Sequence, residues 1–282
     1  MKEFHMSIIT ISRGSYSRGK EVAEKLAAKL NYECVSRDIL LEACAEFNIP
    51  EIKLIRALHD APSVLERFKN GKERYLSYHR YALLKHVKKD NVIYHGLAGQ
   101  YILKDIPHVL KVRIIADIDD RVREEMKREN ISAEKALYIL KKDDEERRKW
   151  GLQVYGTDTW DSRLYDMVLR INTLTVDDAV QILYETVQKP IFQLTPESQE
   201  TLGNMEKAAK IHAMLVDLSL RNKVAVGNGT AYINNVGEDL KSDSSLRESI
   251  EKQILEVDGI TSIKIAEPLT SKSTYINPYH NI

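Results

Sequence analysis

The chain has 282 residues, long enough for two domains, and 43% of them are hydrophobic, enough for a substantial core. Its 42 lysines and arginines balance 42 aspartates and glutamates. That balance excludes the strongly basic surface of a general nucleic-acid or membrane-surface binder and leaves room only for a local basic cleft.

The opening MKEFHMSIITIS lacks the long apolar core and small-residue cleavage site of a signal peptide. No apolar run approaches the length of a membrane span. Cys34 and Cys44 have neither metal-ligand spacing nor a disulfide framework. The expectation is a soluble, reduced, cytoplasmic protein.

Ser7–Ile11 is β-branched and apolar, as in a buried parallel strand. A Gly/Ser loop follows. Val22, Ala23, Leu26, Ala27 and Leu30 then recur at helical spacing and predict a helix over 21–30. Helical patterns follow over 39–57, with an interruption near Pro50, and over 64–88. Strands are predicted at 91–94, 109–116 and 167–171, with helices over 118–128 and 133–150 between the last two. Residues 95–99 form a small-residue turn. Thr175 to Asp178 read as a capping box ahead of a helix over 179–187. Strands alternating with helices imply an α/β fold with a parallel sheet covered on both faces.

Lys189-Pro190 reads as a boundary, dividing the chain into domains 1–190 and 191–282. Thr195 and Pro196 open a helix that should run to about Leu220. A hairpin over 223–233 turns at Gly227-Asn228-Gly229, and a helix over 244–255 and a strand over 260–265 follow. This α-β-β-α-β order makes a small α/β sandwich. The tail from Pro268 is polar and expected to be loose.

The loop carries the chemistry. Gly14, Gly19 and Lys20 match G-x-x-x-x-G-K, but Glu21 stands where a magnesium-binding hydroxyl is usual. Phosphate binding needs inward N–H groups, small residues and a helix N-terminus behind. Gly14, Ser15, Tyr16, Ser17, Arg18, Gly19 and Lys20 are therefore candidate ATP phosphate ligands, Lys20 acting as a point charge.

With this loop, the strand at 91–94 and the charged helix near 144–148, the chain resembles the cytidylate kinase-like family of P-loop nucleoside monophosphate kinases over about 6–188. Ile9-Thr10-Ile11-Ser12-Arg13 and Lys20-Glu21 match its opening, which accounts for Glu21. Arg37 and Asp38 match its acceptor-side segment, with Ser36 in place of an acid. Asp144 and Arg147, with Arg148 beside them, match its lid. Tyr165-Asp166-Met167-Val168-Leu169 matches a strand. Leu97 replaces an arginine that would help hold a phosphate.

The resemblance implies P-loop NTPase architecture and ATP-dependent phosphoryl transfer with Mg2+, most readily to CMP or dCMP. Lys20, Arg147, Arg148 and Asp144 would be catalytic, and Arg37, Asp38 and His95 would bind the acceptor. Residues 196–267 resemble a BON-like domain, through Asp258 to Ile263, with a protein or small ligand as its partner. The departures at Ser36 and Leu97 leave a second reading open: a catalytically impaired nucleotide-binding regulator.

Each site residue also has an ordinary explanation. The charged run Lys141–Lys149 suits a solvated helix face. Arg37 and Asp38 suit a helix cap. His95 suits a buried, satisfied histidine. Trp160 suits either a lid turn or core packing. No metal-ligand constellation is visible.

Overall fold

The computed structural model describes residues 6–15, 17–41, 46–47, 71–219, 222–236 and 242–265. Strands β1 (Ile8–Arg13), β2 (Glu33–Val35), β3 (Val92–His95), β4 (Val109–Ala116) and β5 (Met167–Ile171) form one sheet in the order β2-β3-β1-β4-β5. Every pairing in it is parallel. β2 has no counterpart in the sequence reading, because it is three residues long and lies at the sheet edge with no apolar run to mark it.

Strand alternation sends β1 to both faces. Ile9 and Ile11 pack beneath α1 (Gly19–Leu30) and α6 (Val176–Val187), against Val22, Leu26, Ala179 and Leu183. Ile8 joins Tyr75, Tyr78, Tyr81 and Leu84 of α2 (Gly71–Val87) on the other face. Both faces are thus covered, which is what a continuous apolar run in a parallel strand requires.

The remaining helices of this layer are the single turn α3 (Gly99–Ile102), α4 (Ile118–Glu129) and α5 (Ala133–Tyr155). α5 runs past Trp150 and stops where Gly156 takes the left-handed conformation at φ 70. α6 starts with the expected capping box between Thr175 and Asp178. Residues 37–41 form a 3-10 turn rather than the start of an α-helix. The rest of the 39–57 helical pattern, apart from Glu46 and Phe47, lies outside the described residues, as do 64–70, Cys44 and the tail from 268.

The C-terminal part comprises α7 (Pro196–Leu215), β6 (Lys223–Gly227), β7 (Thr230–Asn234), α8 (Ser244–Leu255) and β8 (Ser262–Ile265). Its sheet runs β6-β7-β8, with an antiparallel hairpin followed by a parallel neighbour. Asn228 and Gly229 both have positive φ, 49 and 72, as a two-residue hairpin turn of the primed type demands. α7 ends at Leu215, short of the expected 220. It serves two cores: Ile211 and Leu215 pack with Ile233 of the small sheet and Ile254 of α8, while Leu202, Ala209 and Ala213, with Val216 just past its end, pack against α2.

Candidate functional site

β1 is central between β3 and β4: Ile11 lies opposite His95, where β3 ends, and opposite Val112 on the other side, from which β4 runs on to Ala116. In an open parallel sheet the crevice beyond the carboxyl ends of such strands is where ligands bind. Loop 14–19 leaves β1 at that edge. Ser17 fixes its path: the buried hydroxyl lies 3.0 Å from the carbonyls of both Gly14 and Ile114. Arg18 closes the loop in the left-handed region at φ 63, with no side-chain cap on α1. The first N–H groups of α1 are therefore left to an outside acceptor. Gly19 is required by space, since a Cβ there would lie 2.7 Å from Cβ of Arg13. Tyr16 lies outside the described residues.

Two helices close on the loop. From α4, Arg121 donates through Nε to the Ser15 carbonyl (2.7 Å) and through both terminal nitrogens to Asp144 (2.8 and 3.0 Å). From α5, Asp143 accepts from the Ser15 hydroxyl (3.0 Å), and Arg147 donates to the Arg13 carbonyl (3.2 Å). Below the loop, buried Arg113 donates to the Thr159 carbonyl (2.8 Å), and the Tyr165 hydroxyl sits 2.8 Å from that carbonyl and 3.2 Å from Oγ of Ser12.

Asp144 and Arg147 therefore meet the loop, Asp144 by orienting an arginine. Arg148 does not meet it. It forms a two-nitrogen contact with Asp158 (2.9 and 2.7 Å) and lies 4.5 Å above the ring of Trp160. Trp160 is 52% exposed, which rules out core packing. Glu21 pairs with Lys25 one turn along α1.

Lys20 projects into solvent near Glu24 and lines a cleft of about 570 Å³ that also reaches Arg13, Ser36, Asp38 and His95. This cleft joins the loop to the acceptor-side segment. Asp38 is held by the Ser36 hydroxyl at 2.9 Å, so Ser36 orients the acid. The backbone of Arg37 starts the 3-10 turn; its side chain lies outside the described residues. His95 is 7% exposed and its Nδ1 has no hydrogen-bond partner. Burial, reinforced by the Arg13 cation, lowers its pKa to about 4, so it presents a neutral imidazole to the cleft at pH 7. Leu97 packs against the core instead of reaching over the cleft.

Sequence reasoning passed over Arg121, Asp143 and Arg113. A signal existed for Arg121. α4 has few apolar residues, so its inward face has to include charged ones, and Arg121 and Glu125, one turn apart, are the two it buries.

A β2-β3-β1-β4-β5 parallel sheet, a G-x-x-x-x-G-K loop at its central strand and a helix bringing arginine onto that loop define a P-loop kinase fold. The chain belongs to the cytidylate kinase-like family, whose model matches residues 8–173. It is similar to a cytidylate kinase of Sulfolobus acidocaldarius, 24% identical over 182 residues that cover 64% of this chain and 94% of that protein. A cytidylate kinase of Thermococcus kodakarensis is 32% identical over 82 residues, covering 29% of this chain and 42% of that protein. Among solved structures, an uncharacterized protein from Eubacterium ventriosum shares the fold with TM-score 0.50 and 23% identity over 65% of this chain and 99% of its own. No helix among the described residues is long and apolar enough to cross a membrane.

Proposed function

We propose that the protein transfers a phosphoryl group from ATP to a nucleoside monophosphate, with CMP or dCMP as the preferred acceptor. The observation that carries this reading is one continuous cleft from Lys20 to Asp38 and His95, next to a loop on which Arg121 and Arg147 already converge. Phosphoryl transfer asks a protein for positioning and charge neutralisation rather than covalent chemistry. Loop N–H groups and Lys20 would hold the donor phosphates. Arg121 and Arg147 would face the charge that spreads over the transferring group. Arg37 would meet the acceptor phosphate, and Asp38, fixed by Ser36, would accept from a sugar hydroxyl or base edge. Neutral His95 adds a hydrogen-bonding group without repelling the cations beside it.

Magnesium ordinarily arrives with the nucleotide, keeps several waters and takes one or two protein oxygens. The residues fit that demand: Asp143 from α5 and Ser15 from the loop place two oxygens side by side, while Asp144 is committed to Arg121 and Glu21 to Lys25. When bound, the ion neutralises phosphate charge. Among the described residues there is no group of three or more His, Cys, Asp or Glu that would hold a metal by itself.

Leu97 favours a second reading, a nucleotide-binding regulator that reports through a BON-like C-terminal module, because its side chain is spent on packing and supplies no cation to an acceptor phosphate. ADP release from ATP and magnesium, with CMP, dCMP, UMP, AMP and no acceptor in parallel, separates the two. Acceptor-dependent ADP that disappears in Lys20→Ala supports the kinase. ATP binding without turnover on any acceptor supports the regulator.

A further inference from the structure

The C-terminal module is docked on α2 along the whole length of that helix. Apolar contacts from Leu202, Ala209, Ala213 and Val216 form the centre of the interface. Charged pairs mark it from end to end: Arg74 with Asp217, and Lys88 with Glu206 at 3.2 Å. A third charged contact is different, because its carboxylate belongs to neither helix. Glu46, just beyond the acceptor-side turn, accepts from Lys210 of α7 (2.8 Å), from Lys85 of α2 (2.6 Å) and from the Tyr81 hydroxyl (2.7 Å). Phe47 beside it packs on the rings of Tyr78 and Tyr81 at 5.1 and 5.3 Å. Ile39, inside the 37–41 turn, is buried in the same core. Ile39 of the 37–41 turn is thus held by apolar burial, and Glu46 by a charge network that includes the C-terminal module.

Taking the acceptor side of the proposed kinase as given, we infer that Lys210 is a positioning residue for it, acting through Glu46, and that the C-terminal module is a structural part of the acceptor site. The physical basis is the number of donors at Glu46. Burial by itself would raise its pKa, but the hydrogen bonds from Lys210, Lys85 and Tyr81 outweigh burial and hold it down to about 2. Without Lys210 the carboxylate keeps Lys85 and Tyr81 as donors and loses its ion pair to α7. Among the described residues, the hydrogen bonds that hold the loop after β1 share no residue with this network.

The test compares Lys210→Met, which keeps the aliphatic stem, with Lys210→Arg and with Lys88→Met, a pair in the same interface that does not touch Glu46. Lys210→Met should raise the CMP KM about fivefold, with kcat and the ATP Kd from calorimetry unchanged; Lys210→Arg should restore it, and Lys88→Met should leave it alone. Amide hydrogen exchange over 36–41, run without any nucleotide, should quicken in Lys210→Met only. Equal changes in both substrates, or an unaltered CMP KM with unaltered exchange, overturn the proposal. If the wild type neither binds nor phosphorylates a nucleoside monophosphate, the kinase reading fails separately, and the exchange result still decides whether Lys210 orders the segment.

Discussion

Arg121 offers the sharpest test of how the loop is held. Arg121→Met removes the Nε bond to the Ser15 carbonyl and both bonds to Asp144. The side chains of the pair are only 9% and 14% exposed, so Asp144 is left nearly buried, charged and unpaired. Breaking a buried pair from one side costs about 3–5 kcal/mol; the residual solvent at Asp144 places this case at about 3 kcal/mol. In a chain of this size that corresponds to a fall in Tm of roughly 6–12 °C. Arg121→Met/Asp144→Met removes both charges and should return to within about 1 kcal/mol of wild type. Urea unfolding and calorimetric melting measure the stability arm. ATP binding measures the other arm, where both variants should be weakened about tenfold, because each lacks the donor that fixes the Ser15 carbonyl and the cation beside Gly14. A single variant that loses under 1 kcal/mol, or a double variant as unstable as the single, would refute the view that the pair is a desolvated clamp.

Three further outcomes are expected. Gly99→Ala drives a Cβ into Oγ1 of Thr10 and to 2.9 Å from the Tyr94 ring, both buried on central strands, so it should cost about 3 kcal/mol in urea unfolding; a cost under 1 kcal/mol would show that β1 and β3 can separate there. Arg18→Gly relieves a left-handed residue at φ 63 and should stabilise the chain by up to about 1 kcal/mol while weakening ATP binding through the lost cation. Any clear destabilisation counts against strain in the loop. His95, surrounded by Arg13, Lys20, Glu24 and Asp38, titrates near 4 in the folded chain against an ordinary 6.5. As pH falls from 6.5 to about 4 the unfolded state gains a proton there that the folded state does not, so stability falls over that window and levels below it. His95→Gln should flatten that part of the stability-against-pH curve, and an identical slope in both proteins would place His95 in contact with solvent.

Local chemistry determined the loop and most of the elements, though not the three-residue edge strand β2 or the 3-10 turn at 37–41. The apolar run Ile8–Ile11, the helical spacing from Val22 to Leu30 and the cap at Thr175 each express a preference set within a few residues, so they could be read in one dimension. The same holds for Asn228-Gly229, where only residues tolerant of positive φ close the turn. The site was legible where it is contiguous, in Gly14 to Lys20, and in Asp144 and Arg147 through resemblance. What surrounds the loop was decided by tertiary structure. Arg147 and Arg148 are neighbours in a charged run, and apart from the resemblance nothing in their charge or spacing distinguishes them. Helix α5 turns them in different directions, so one reaches the Arg13 carbonyl and the other is taken up by Asp158 and Trp160. Arg121 meets Ser15 across 106 positions of chain, and Lys210 meets Glu46 across a greater separation still. Periodicity records which face of a helix is buried. Partners brought together by long-range packing leave no periodic trace, so the sequence marks the loop and only the fold supplies the residues that hold it.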